Sequence, residues 1–177
     1  MPNKNFWERA APFSLTALVI LLDQITKSYI ANNWSIGTMI VDVFNNDLLR
    51  IYHMRNKVIA FSLGGGIPEA ARPALFIILP LIILGVLCVF YWKSNDFTRL
   101  QRWAIAGIVG GGIGNLLDRI FRPEGVVDFV SVKFFGIMGF ERWPTFNVAD
   151  SAVVICVFLW LISLFLTRDK DKQGAAA

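Results

Sequence analysis

Cysteine, histidine and charge are all scarce in this chain. Of 177 residues, two are cysteine, one is histidine and only 17% are charged. Cys88 and Cys156 each lie inside an apolar run, so they read as small buried hydrophobes and not as a disulfide or a metal site. With His53 as the single histidine and no Cys/His cluster, neither a zinc centre nor any other cofactor is expected. No Ser-His or Cys-His arrangement offers a nucleophile beside its base. The net charge of +4 is mild, and the basic residues sit in short clusters beside apolar runs. That pattern argues against nucleic acid as a partner and points to anionic lipid headgroups.

Apolar residues are plentiful at 55% of the chain, too many for a soluble domain of this length. Four runs, about 12–31, 73–92, 101–119 and 148–167, each approach the roughly 20 residues needed to cross a hydrocarbon core. The expectation is an α-helical membrane protein, one domain over residues 1–167, with a disordered cytoplasmic tail at 168–177. Lys4 precedes the first run, but "DQITKSYI" continues the helix and no small-residue cleavage site follows, so the segment reads as a retained span. Pro80 and Gly85 are expected to bend the second. Lys4 and Arg9, then Lys93, Arg99 and Arg102, then Arg168, Lys170 and Lys172 fall in the short segments and predict both termini on the cytoplasmic side.

The first long connection is not a flexible linker. "TMIVDVF", "LLRIYHM" and "IAFSL" are rich in β-branched and aromatic residues and are parted by turn formers at Asn45, Asn46, Asp47 and Asn56. A small extracytoplasmic β-sheet over about 38–63 is the natural reading.

Polar residues then gather at one membrane level. In "WAIAGIVGGGIGNLLDRIF", Gly107, Gly111, Asn115 and Arg119 recur every four residues and share a helix face, with Asp118 beside it. Small residues at that spacing predict close approach of another helix. Asp128 sits in the alternating segment "GVVDFVSV", and Asp150 opens the fourth span three residues after Asn147. Taken singly, each acid has a plain structural reading: Asp150 as a helix-start anion, Asp23 as an intrahelical ion pair with Lys27, and Asp118 as an ion-pair partner of Arg119. Together, Asp23, Asn115, Asp118, Arg119, Asp128, Asn147 and Asp150 all fall near the outer level. Two carboxylates in a low-dielectric site cannot easily both ionise, so one keeps a proton while the other activates water. That is the chemistry of an aspartic protease.

In order and with suitable spacing, "LLDQITK", "RN…AFSL", "GGIGNLLDR", "VVDF" and "FNVADSA" cover most of the chain, and together they resemble the bacterial lipoprotein signal peptidases, the signal peptidase II family. The resemblance implies a four-helix aspartic endopeptidase of the inner membrane with an outer β-cradle and an active site near the outer face. It implies a diacylglyceryl-modified prolipoprotein as substrate, cleaved just before the modified cysteine, with membrane lipids as surroundings and a peptide antibiotic as a candidate inhibitor. Carried over by motif, Asp128 and Asp150 would be the catalytic pair. Asn56, Asn115, Arg119 and Asn147 would line the substrate site, with Asp23 and Asp118 in support. One departure is Val58, where the family has glycine. Val58 is therefore expected in ordinary β geometry, with the permissive backbone shifted to Gly64, Gly65 and Gly66 and an altered cradle fit to substrate. Two other classes stay open on the residues alone: a small proton-coupled transporter, which would place acids nearer the midplane, and a non-catalytic binder of lipoprotein precursors.

Overall fold

The structure is a computed structural model that describes residues 6–56 and 68–174. Among the described residues, four helices are long and apolar enough to cross a membrane. A short helix α1 (Phe6–Ala10) leads into α2 (Phe13–Asn33). A π-helical turn at Ala74–Ile78 leads into α3 (Leu79–Lys93). Pro80 lacks the N–H that an α-helix would send to the Phe76 carbonyl, and the chain passes that point with a widened turn and not a break. Helix α4 (Arg99–Phe121) opens with a reciprocal cap: Thr98 Oγ1 accepts the Gln101 N–H at 3.2 Å, and Gln101 Oε1 accepts the Thr98 N–H at 2.9 Å. Helix α5 (Val148–Gly174) completes the set. It continues past the apolar run to Gly174.

Helix α4 lies at the centre. Across its span 56% of residues are buried, against 11% to 28% for the other three, whose exposed Leu, Ile, Val and Phe side chains suit lipid. The expected close approach is present on its glycine face. A Cβ placed on Gly111 would fall 2.4 Å from the Ala149 carbonyl oxygen and 2.6 Å from Val153 Cγ2. Only a residue without a side chain lets α5 lie this near. At the other end of the bundle the Arg102 guanidinium stacks over the Tyr91 and Phe97 rings, 5.2 and 5.9 Å from their centroids.

Among the described residues the sheet has three antiparallel strands in the order β1 (Met39–Asp42), β2 (Leu49–Asn56), β3 (Val126–Val132). The first two fall within the expected range. The segment "IAFSL", with Val58 and Gly64 to Gly66, lies outside the described residues. The third strand comes instead from the segment around Asp128, paired so that Met54 faces Asp128 and Asn56 faces Val126. Val127 and Phe129 pack with Ile30, Ile51 and Val148, seating the sheet on the ends of α2 and α5. Both cysteines are free thiols, and no cluster of metal-ligating side chains occurs among the described residues.

Candidate active site

Asp128 is carried by β3 and is almost fully buried. Its Oδ1 accepts the Asn147 side-chain amide at 2.7 Å and its Oδ2 accepts the Asn56 amide at 3.1 Å. Burial, and secondarily the charge of Asp150, push its pKa up from 3.8 to about 7, against the opposing hydrogen bonds from Asn56 and Asn147. At neutral pH this carboxyl therefore exists in both protonation states.

Asp150 is built into the start of α5. Its Oδ2 accepts the Asn147 backbone N–H at 3.1 Å, while Asn147 Oδ1 accepts the Asp150 N–H at 3.0 Å. This is a capping box made from Asn and Asp, which satisfies two of the helix's orphan donors reciprocally. A third donor, the Ala149 N–H, is accepted by Asp23 Oδ1 at 3.0 Å. The remaining oxygen of Asp150, Oδ1, accepts the Asn115 amide at 2.7 Å. Asn147 thus holds both carboxylates, Asp128 through its side chain and Asp150 through its backbone.

Behind the pair lies a fully buried charge cluster. Lys27 Nζ sits 2.8 Å from Asp23 and 3.2 Å from Asp118, all three with no side-chain exposure, and donates to Asn115 Oδ1 at 2.9 Å. The Asn115 amide is thereby oriented, with its oxygen on Lys27 and its NH2 on Asp150. Asp118 also accepts from Gln24 at 3.1 Å and Arg122 at 3.1 Å, and its Oδ2 takes the Val127 N–H at 3.0 Å. That last bond fixes β3 one residue before Asp128.

All eight residues singled out by sequence come together. The geometry nevertheless alters three details. The Asp23–Lys27 pair is not a simple intrahelical one, because Lys27 reaches across to α4. Asp118 does not pair with Arg119 but with Lys27 and Arg122. Arg119 donates to the Asn115 carbonyl at 3.2 Å, and its charge acts on Asp150 and Asp128. Lys27, Gln24 and Arg122 were missed as members of this network. A lysine inside an apolar helix was the available signal, since such a charge demands a partner.

The asymmetry of burial gives the arrangement its chemical use. Asp128 and Asn147 are buried while Asp150, Asn115, Arg119 and Asn56 are half-buried, so the two carboxylates meet at a partly open face.

The family model for signal peptidase (SPase) II matches residues 15–166. The lipoprotein signal peptidase of Treponema denticola is 49% identical, with 92% of each chain covered. That of Treponema pallidum is 43% identical over 93% of this chain and 87% of its own. Two solved structures described as bacterial membrane enzymes superpose with TM-scores of 0.78 and 0.75 at 29% and 30% identity. They cover 96% and 93% of this chain, and 95% and 97% of their own. With the family model spanning most of its length, this chain belongs to the signal peptidase II family, and is an aspartic protease of the lipoprotein-processing, multi-pass inner-membrane kind.

Proposed function

We propose that the chain removes the signal peptide from diacylglyceryl-modified prolipoproteins just before the modified cysteine, with Asp128 and Asp150 as the catalytic pair. The observation that carries the reading is the double hold of Asn147, which brings a carboxylate from β3 and one from the start of α5 to the same half-open face. In this reading Asp128 enters as the neutral acid and Asp150 as the base. Asp150 takes a proton from water as the water oxygen attacks the scissile carbonyl carbon, and Asp128 gives its proton to the carbonyl oxygen. The tetrahedral intermediate then collapses: the C–N bond breaks, the leaving nitrogen takes the proton from Asp150, and a hydroxyl of the intermediate returns one to Asp128.

Arg119 and Asn115 sit on one face of α4 beside the pair. Arg119 supplies a planar set of donors for the substrate backbone. Asn56, Asn115 and Asn147 surround the pair and orient the two acids, while Asp23 and Asp118 support them from behind. The partly open face of the pair would lie at the outer side of the membrane, with both termini cytoplasmic, in keeping with the short basic segments.

The test is cleavage of a diacylglyceryl-modified precursor in detergent micelles. Asp128→Asn and Asp150→Asn keep shape but remove the proton exchange, so each is expected to abolish turnover while the folded protein remains in the membrane. Losses from groups that act as a unit are not additive, so the double variant is no worse. Near-normal cleavage by either single variant would overturn the assignment.

A further inference from the structure

Between β3 and α5 the chain makes a short hairpin whose base is the bridge between Lys133 and Arg142. Its tip, residues 134–140, reads "FFGIMGF" and contains no polar side chain. The tip is a fixed turn: the Phe134 N–H donates to the Glu141 carbonyl at 2.8 Å, Gly136 to Phe140 at 3.0 Å and Gly139 to Gly136 at 3.0 Å. Within it Phe135 (φ 56°) and Met138 (φ 53°) hold left-handed backbone. Turns that face water ordinarily give such positions to glycine, asparagine or aspartate. The adjacent β1–β2 turn does so, with Asn45 and Asp47 left-handed. The hairpin instead gives two of its left-handed positions to large exposed apolar residues, Phe135 66% exposed with Lys133 Nζ 5.7 Å from its ring centroid and Met138 81% exposed, with Ile137 54% exposed between them.

The two turns are clipped together at one end of the sheet. Arg142 donates to the Asp47 carboxylate at 2.7 Å and to its carbonyl at 2.9 Å, and Lys133 lies 3.2 Å from the same carboxylate. Arg50 joins them on the Asp47 carboxylate at 2.7 Å, and the Glu141 carboxylate lies beside Gly136 at the foot of the tip. An apolar tip projecting from a charged collar is the side-chain arrangement of a water–lipid boundary. The hairpin runs directly into α5, whose first residues open a membrane span, so the bilayer is the apolar phase nearest to it in the chain.

We propose that this hairpin is an interfacial anchor, with Phe135, Ile137 and Met138 inserted among the acyl chains of the leaflet on the active-site side. It would fix the height of the sheet, and of Asp128 on it, over the membrane. The proposal rests on the membrane reading of the chain but not on which residues do the chemistry.

Depth-dependent quenching tests it. In the full chain with Cys88→Ala and Cys156→Ala, a single bimane-labelled cysteine is placed at Met138→Cys or, as the aqueous reference, at Glu124→Cys. Each is reconstituted into phosphatidylcholine vesicles with or without doxyl-labelled acyl chains. Doxyl lipid is expected to quench the position-138 label several-fold more than the position-124 label, and dissolved iodide to do the reverse. Iodide quenching both labels alike, with little effect of doxyl lipid, would overturn the proposal. A diacylglyceryl peptide carrying the doxyl group on its own chains, added to unlabelled vesicles, separates the two sources of lipid. Quenching at position 138 by that peptide and not by doxyl lipid would assign the tip to substrate chains and equally overturn the anchor.

Discussion

Asn147 touches Asp128 with its side chain and Asp150 with its backbone, so the state of one acid is felt at the other through a single rigid residue. The raised pKa of Asp128 makes this measurable. Its neutral form is favoured in the folded protein, so ionising it between 3.8 and about 7 costs folded-state stability, and that stabilisation of the neutral form is lost as pH rises through this window. If Asp128 is needed as the acid, kcat/KM declines on the alkaline side with an apparent pKa near 7. The Asn56 amide favours the ionised form, so Asn56→Ala is expected to move that alkaline limb to higher pH. A pH–rate profile of the variant checks the direction. A shift to lower pH would show that another group controls the limb.

Lys27 compensates two carboxylates that have no access to water. Lys27→Met keeps much of the volume but takes the ammonium away from buried Asp23 and leaves Asp118 with Arg122 alone, and breaking such a cluster costs about 3–5 kcal/mol. Thermal unfolding in detergent is expected to show a large loss of stability, and activity to fall with it because the Asn115 amide loses the contact that orients it. An unchanged melting temperature would mean that the cluster is not held in the charged form.

At the scale of the helix, α4 places the site by what it omits. Gly111→Ala would put a methyl against the Ala149 carbonyl and Val153, forcing α5 outward at the turn that carries Asp150. Overpacking of this kind costs about 1–3 kcal/mol. Gly85→Ala on α3 meets nothing within 4 Å and is the matched control. The expected result is a lowered melting temperature and reduced cleavage for Gly111→Ala, with Gly85→Ala at or above the parent in stability. Equal behaviour of the two would remove close packing as the reason for the glycine face.

The periodic face of α4 could be read from sequence because helix geometry alone sets which residues share it. Gly107, Gly111, Asn115 and Arg119 needed no knowledge of their partners. The reach of Lys27 to Asp118 could not be read, since it depends on how α2 lies against α4, and local spacing offered the nearer partner Asp23. The third strand escaped for a similar reason. "GVVDFVSV" has the alternation of a strand, but its hydrogen-bonding partner β2 lies some 70 positions earlier, and nothing local to either segment announces the pairing. Capping was half legible: an acid at a helix start was expected, while its reciprocal bond with Asn147 needed the turn itself.

For the whole molecule, the orientation proposed from the placement of basic residues is open to direct test. Single cysteines introduced at Asn3 and at Gln173, in the background without Cys88 and Cys156, are expected to react with a membrane-impermeant maleimide in inverted vesicles and not in intact spheroplasts. Reaction of either from the spheroplast exterior would invert the topology and put the acid pair on the wrong side for an outer-face protease.

The capping box at the head of α5 bears on how such an enzyme is made. Asp23, Asn56, Asn115, Asp128 and Asp150 are distributed along nearly the whole chain, and the last of them reaches its place only when the final helix begins. A nascent chain that has emerged as far as β3 already carries Asp128 and its donor Asn56, yet lacks Asn147, the second donor to that carboxyl, and Asp150, the acid proposed to work with it. With Asp128 and Asp150 as the proposed pair, proteolytic competence would not precede the start of the last helix. A membrane protease built this way would stay harmless to its neighbours until its last helix is in place.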